Sequence, residues 1–193
     1  LCRKGSVYSE TTSFIFVAGP IISLAACLTI LAFIPFGNTA SILSFSGDFV
    51  LIIYLFGLVR FFTVLAALDT GSSFEGMGAS REMFFSALAE PAMLLAMATL
   101  AHQSNSLSLT EMLVGINTET WFAQSLPLIF VITGLFILYL CENCRIPVDD
   151  PNTHLELTMI HEVMVLDHSG VDFAFIEYTA ALKLWILGAI ISA

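Results

Sequence analysis

Basic residues are scarce in this sequence. Only 6 of its 193 residues are Lys or Arg, against 16 Asp or Glu, which gives a formal net charge of −10. A nucleic-acid-binding protein needs clustered Lys and Arg to neutralise phosphates, so nucleic acid is excluded as a partner. Charge of either sign is also rare, at 11% of residues against 58% hydrophobic, which is too apolar for an ordinary soluble domain.

Sets of metal-ligating residues are lacking as well. Of the four cysteines, Cys141 and Cys144 form a lone C-x-x-C with no second pair to complete a zinc site or an iron–sulfur cluster. His154, His161 and His168 recur every seven residues, which places them roughly 10 Å apart along a helix, too far for one metal ion. We therefore expect no metal bound by this chain, and we interpret the histidines as a polar face or a set of hydrogen-bond donors.

What the sequence has in abundance is long apolar runs. Five runs of about 20 residues match the length that a helix needs to cross a bilayer core of roughly 30 Å, and they are continuous, unlike the alternating strands of a membrane barrel. We predict an all-α, polytopic transmembrane helix bundle of about five spans, forming a single membrane domain over residues 1–193. We interpret it as the central portion of a longer subunit. The predicted spans are 14–36, 49–68, 83–101, 123–141 and 173–193.

Two polar segments between the spans fall on the same side of the predicted membrane. These are residues 69–82 and the long insert 142–170. With five alternating spans, Arg3, Lys4, Arg81 and Arg145 all lie on that side, which marks it as the cytoplasm. We therefore expect a multi-pass protein of the inner cell membrane in which both segments form one cytoplasmic docking face. The residues predicted to dock a partner are Asp69, Glu75, Arg81, Glu82, Arg145, Asp150 and Asp167.

Two short helices are predicted between the spans. Asp150-Pro151 is typical of a helix start, with the proline at the first helical position, and predicts a helix to about Asp167. Ser108 and Glu111 form an S-x-x-E capping box that predicts a small surface helix on the other side.

Charged residues inside the spans point towards function. Arg60, Glu90 and Lys183 sit within apolar runs, where a charge is costly unless it faces the protein interior or a wet path. Spans two and three are antiparallel neighbours, so an Arg60–Glu90 ion pair is geometrically open. A static pair and an ion path are both compatible with this pattern.

The acids near these charges are also compatible with an ion path. A carboxylate in or near lipid must be paired, protonated or hydrated. We predict a polar route from the docking face towards the bilayer centre. It is formed by Glu90, Glu156 and Glu162, by Glu142 and Asp149 at the cytoplasmic edge, and by Arg60 and Lys183 as counter-charges.

Two motifs carry a family resemblance. The segments LVRFFTVLAALDTGSSFEGMGASRE (58–82), followed by EPAMLL (90–95), and ENCRIPVDDPNTHLELTMIHEVMVLDHSG (142–170) resemble the membrane subunit of group 4 nickel–iron hydrogenases, of the formate-hydrogenlyase and hydrogenase-4 type. The second segment is similar, more distantly, to the quinone-site loop of complex I subunit one. The matching positions are Glu142, Arg145, Pro147, Asp149 and Glu156-Leu157. His154 stands at a position that is acidic there, and the stretch after Glu156 is about three residues longer, which favours the hydrogenase branch.

The resemblance implies a non-catalytic subunit of a membrane-bound oxidoreductase complex. Such a subunit anchors a peripheral arm of iron–sulfur and hydrogenase-type subunits, contacts antiporter-like membrane subunits in the lipid bilayer, and couples electron transfer to proton or sodium translocation. Iron–sulfur clusters and a nickel–iron centre are then expected in the partners, with no cofactor held by this chain. Three alternatives stay open: the quinone-site subunit of an NADH:quinone oxidoreductase, a stand-alone ion transporter, and a passive anchor.

Overall fold

The structure, a computed structural model, describes residues 13–36, 39–116, 118–146, 148–149 and 159–192. Within these ranges it is all-α, as predicted. The helices are α1 Phe14–Leu31, α2 Asp48–Asp69, α3 Ser73–Ser104, α4 Leu109–Val114, α5 Thr118–Ala123, α6 Ser125–Glu142, α7 His161–Met164 and α8 Gly170–Ser192.

Five of these helices (α1, α2, α3, α6 and α8) are long and apolar enough to cross a membrane. Each lies on one of the five predicted spans, which confirms the polytopic bundle. Consecutive spans contact each other, and α8 also packs against α1, so the five spans close into a ring in the order α1–α2–α3–α6–α8. The large hydrophobic core inside this ring includes Ile30, Phe56, Met97 and Ile186.

Helix α3 differs most from its prediction, because it begins at Ser73, ten residues before the predicted start at Met83. The glycines of residues 69–82 led us to expect a loop. Of these, only Gly71 adopts a positive φ, of 70°, in the turn between α2 and α3. Gly78 instead serves close packing: a Cβ there would lie 3.0 Å from both Ile160 O and Met164 Cγ. The sequence alone therefore does not distinguish a glycine that allows close helix packing from one that allows a turn.

The insert 142–170 does not contain the continuous helix that we predicted up to Asp167. Residues 147 and 150–158 lie outside the described part, including Asp150, Pro151, His154 and Glu156. Beyond them, only His161–Met164 is helical, and residues 165–167 form a turn. Ile160 and Met164 are buried against α2 and α3 in a second small core. Because Ile160 and Met164 are both buried in this small core, the chain there forms one helical turn and not a long amphipathic helix.

The opposite end of the bundle is closed by α4. This helix is the one predicted from Ser108 and Glu111, but the capping box does not form. The carboxylate of Asp48, at the start of α2, caps α4 instead, accepting from Leu109 N at 2.6 Å and from Ser108 Oγ at 3.2 Å. Glu111 pairs with Ser106 Oγ. A completely buried carboxylate 60 residues away thus replaces the local cap.

Candidate functional site

An ion-pair network lies inside the bundle. Arg60 Nη2 is 2.8 Å from Glu90 Oε1, and Arg60 Nη1 is 2.5 Å from Glu142 Oε1. Lys183 Nζ approaches the other oxygen of Glu142 at 3.0 Å. The Arg60–Glu90 pair, which the antiparallel spans left geometrically open, forms in the structure. Four of the predicted ion-path residues meet in one cluster joining α2, α3, α6 and α8.

The network lies deep in the bundle. Lys183 is 13 residues into α8 and Arg60 is nine residues before the end of α2, which places them about 20 Å and 14 Å along their helices from the docking end. Glu142 ends α6 at this level and is 7% exposed, so it lies inside the bundle beside Arg60; its position at the cytoplasmic edge stays a prediction. Because α6 is 18 residues long against 32 for α3, the chain after Glu142 leaves the helix inside the bundle.

The charges are buried unequally. The side chains of Arg60 and Glu142 are 8% and 4% exposed, whereas that of Glu90 is 42% exposed. Buried charges are tolerated when they are paired, and Glu142 satisfies two cations at once. Glu90 extends the network to the outer surface between α2 and α3, where a groove is lined by Tyr54, Gly57 and Phe61 among others.

A polar cavity of about 210 Å³ extends from this network to residues of the two predicted docking segments, 69–82 and 142–170. Its lining comes from α1, α2, α3 and α8 and from the insert after α6. Besides Arg60, Glu142 and Lys183, the charged residues of the lining are Glu82, Arg145, Asp149, Glu162 and Glu177. Acids outnumber cations in this wall, so part of the acidic charge must be hydrated or protonated.

Asp149 and Cys144 shape the docking-side wall. Asp149 is 5% exposed, and its Oδ2 accepts from Ile160 N at 2.9 Å and His161 N at 3.3 Å. Cys144 has a φ of 46° and its thiol donates to Glu82 Oε2 at 3.7 Å. Burial, and then the nearby Glu82 carboxylate, raise the pKa of this thiol far above its usual range. The Cys144 thiol is therefore neutral at pH 7, which makes it a weak nucleophile.

Two histidines of the insert complete this wall. His168 is 8% exposed and its ring stacks on Phe16, with centroids 3.9 Å apart and planes 9° apart. Burial lowers the pKa of both His161 and His168 to about 4. Both imidazoles are therefore neutral at pH 7.

The predicted docking residues divide into buried and exposed groups. Glu75 is 1% exposed, accepting from Thr70 Oγ1 and, at 3.2 Å, from Asp167 N. Arg81 donates to Met159 O at 3.4 Å. Glu82 is 8% exposed and lines both the cavity and the groove between α2 and α3. The exposed members are Arg145 and Asp167, while Asp69 is half-buried and accepts from Ser13 N; Asp150 lies outside the described residues.

Sequence reasoning missed some of these positions. Glu177 lines the cavity from α8, and its sequence signal is an acid four residues after the start of the apolar run 173–193. Glu82 is predicted as a docking residue because it ends the polar segment 69–82, which lies on the side marked by Lys and Arg. Of the predicted ion path, Glu162 lines the cavity but is otherwise exposed, and Glu156 lies outside the described residues. In the part of the chain that the structure describes, no three His, Cys, Asp or Glu residues are grouped to hold a metal ion.

Comparison with known proteins places this arrangement in a family. The chain is 29% identical over 187 residues to formate hydrogenlyase subunit 4 of Escherichia coli K12, covering 95% of this chain and 58% of that protein. It is 30% identical over 195 residues to hydrogenase-4 component C of the same organism, covering all of this chain and 60% of that protein. One of the subunits of the NADH-quinone oxidoreductase of Polaromonas sp. JS666 is 24% identical over 183 residues, covering 90% of this chain and 50% of that protein.

The fold is shared with a solved structure. A chain of the membrane-bound sulfane sulfur reductase, an archaeal respiratory membrane complex, superposes with a TM-score of 0.79 at 19% identity, over 98% of this chain and 61% of that one. This chain thus spans little more than half the length of the relatives it matches. The family model for NADH dehydrogenase matches residues 1–193. The chain belongs to the NADH dehydrogenase family.

Proposed function

We propose that this chain is the membrane anchor and coupling subunit of a complex I-like, energy-converting hydrogenase. Its role is to link electron transfer in a peripheral iron–sulfur and nickel–iron arm to proton or sodium translocation. The single observation that carries this proposal is the Arg60–Glu142–Lys183 network, buried in the bundle and open through a polar cavity to the docking segments. The similarity to hydrogenase-4 component C supports the hydrogenase branch.

The docking face supports the anchoring role. Residues 69–82 and the described part of 142–170 pack on each other through Gly78, Arg81 and Glu75 at one end of the bundle. Arg145 and Asp167 of the insert are exposed and available to a partner. A peripheral arm bound there contacts α7 and α3 together, so a movement of the arm reaches the cavity wall directly.

The network provides a physical basis for coupling. Glu142 is shared between two cations, and Arg60 is shared between two acids. A shift of the insert moves Glu142, because the insert begins at that residue. Changing which pairs are made then changes which acid holds a proton or binds a cation, a local electrostatic event with a distant readout.

The outer groove at Glu90 supports contact with membrane partners. An acid 42% exposed at membrane depth is costly against lipid. An antiporter-like subunit covering α2 and α3 relieves this cost and receives the ion from Glu90. The path therefore leaves the bundle sideways instead of crossing its apolar far half, where the core closes around Met97, Leu109 and Met112.

The test is replacement of Glu90 and Glu162, each by Gln, in the assembled complex. Glutamine keeps size and hydrogen bonding but does not ionise, so we expect intact assembly with severalfold fewer ions transported per electron. Glu111→Gln, at the opposite end, is the matched control and retains full transport. Full transport in both test variants removes these acids from the path, and loss of assembly in both indicates a passive anchor.

A quinone-site subunit is the second candidate. The lining of the cavity also includes the uncharged residues Gly19, Pro20, Ile176 and Ala180, and a quinone ring requires a site that combines apolar and polar groups. The composition of the complex purified through this chain distinguishes the two. Hydrogenase-type subunits with hydrogen-evolving activity support the first function, whereas an NADH-oxidising module with quinone reduction supports the second.

A further inference from the structure

Four of the residues that line the polar cavity carry a buried side-chain atom that has neither a hydrogen-bond nor an ion-pair partner among the described residues. These atoms are Arg60 Nε, Asp149 Oδ1, His161 Nε2 and His168 Nδ1. A buried polar group left unpaired costs about 1–3 kcal/mol, and native proteins pair nearly all such groups. The convergence of four on one cavity therefore indicates a polar occupant.

The chemistry of the four atoms defines that occupant. Arg60 Nε can only donate, and the Asp149 carboxylate oxygen can only accept. The occupant must both donate and accept at several points. A quinone carbonyl only accepts, so it leaves Asp149 Oδ1 unsatisfied. Water does both, and a polar cavity of about 210 Å³ has room for several molecules.

We propose that His161 and His168 anchor a chain of buried water that joins the docking face to the Arg60–Glu142–Lys183 network, which makes both histidines residues of the ion path. This inference rests on the proposed coupling function and adds two positions that the acids alone do not supply. The histidines lie at the docking side of the cavity, on α7 and on the turn before α8, whereas Arg60 and Lys183 lie at its bundle side.

Each of the two histidines makes one contact that helps to place it. His161 is tied by its backbone N to Asp149, at 3.3 Å, and His168 is stacked on Phe16. Around His161 the charged groups are Lys183, Asp149 and Arg145, and around His168 they are Asp172 and Asp167. Because the imidazoles stay neutral in these surroundings, each ring offers water one donor and one acceptor. A neutral imidazole can therefore hold a water molecule by hydrogen bonds without itself retaining a proton that moves along the chain of water.

The first test is direct and does not depend on ion transport. In a structure of the intact complex at a resolution that shows ordered water, we expect water within hydrogen-bond distance of His168 Nδ1 and His161 Nε2. Further waters should connect them to Arg60 Nε and Asp149 Oδ1. A dry cavity, or a quinone ring in contact with the histidines, overturns the proposal.

The second test separates the polar atom from the ring. His168→Phe keeps the stacking on Phe16 but removes the ring nitrogens, and we expect severalfold fewer ions transported per electron. His168→Asn places an amide near the position of Nδ1 and should retain most transport. His161→Leu and His161→Gln form the equivalent pair, and His102→Phe, at an exposed position on α3 far from the cavity, is the control.

The outcomes distinguish this inference from the function on which it rests. If the Glu90 and Glu162 variants lose coupling while His168→Phe and His161→Leu keep it, the histidine inference is wrong and the coupling function stands. If the amide variants fail as severely as the apolar ones, water anchoring is also refuted. If no variant affects coupling, the function fails as well. If the apolar variants do not assemble, the amide variants and the water structure decide.

Discussion

Lys183 shows how the stability of the network depends on single residues. It is 9% exposed in the middle of α8, and its ammonium faces Glu142 at 3.0 Å. Removing one member of a buried ion pair leaves an uncompensated charge, which typically costs about 3–5 kcal/mol. The Lys183–Glu142 pair therefore need not add net stability to the fold. Replacing one of the two residues alone should nevertheless destabilise the protein more than replacing both.

We predict that Lys183→Met lowers the thermal midpoint of the purified complex, because Arg60 is then the one cation still paired with the buried Glu142 carboxylate. The double variant Lys183→Met/Glu142→Gln should recover most of the lost stability, since it removes both charges of the pair. Thermal unfolding of the detergent-solubilised complex measures both. Equal stability of the single and double variants contradicts the pairing.

At the scale of elements, the contact between α3 and α7 joins the two segments that are predicted to dock a partner. Gly78 lets the two approach so closely that an added Cβ meets Ile160 O and Met164 Cγ at 3.0 Å, whereas a Cβ at Gly76 has no atom within 4 Å. These two glycines lie on the same helical turn. They therefore provide a matched pair.

We predict that Gly78→Ala displaces α7 and weakens retention of the peripheral arm, while Gly76→Ala leaves it unchanged. Alanine favours the helix over glycine by roughly 1 kcal/mol at either position, so a loss seen only at Gly78 reports the tertiary contact. Native gels and the arm-to-membrane subunit ratio after purification measure retention. Identical retention in the two variants contradicts the packing argument.

The same elements show what a single sequence can and cannot predict. The spans were predictable because lipid demands about 20 apolar residues in a helix, and the Arg60–Glu90 pair followed because neighbouring spans are antiparallel. The start of α3 and the end of α6 were not predictable, because they depend on packing between segments that are far apart in the chain. Glu142 has the sequence context of a membrane edge and the environment of a core.

For the whole molecule, the ring of five spans gives two ends with different chemistry. One end has the cavity and the docking segments; the other is closed by α4 over an apolar core. The order of the spans around the ring could not be predicted from the sequence, because apolar helices contain few residues that specify which helix packs next to which. The placement of the polar segments at one end followed from alternation of the spans alone.

We predict that the docking end faces the cytoplasm. Arg145→Cys is exposed at that end and His102→Cys is exposed at the other. A membrane-impermeant maleimide should label Cys at 145 only in inside-out vesicles and Cys at 102 only in right-side-out vesicles, above the labelling of the unmodified chain. The reversed pattern contradicts the orientation derived from Lys and Arg.

The carboxylate of Asp48 also bears on biogenesis. Its donors are Leu109 N and Ser108 Oγ, about 60 residues further along the chain, so α2 enters the membrane before its own first residue has a partner. Until the ribosome has delivered α4, that acid must stay with water at the far surface. We therefore expect an intermediate during translation in which α2 and α3 are inserted but Asp48 has not yet bound α4. The far end of the bundle closes only after the third span has been inserted.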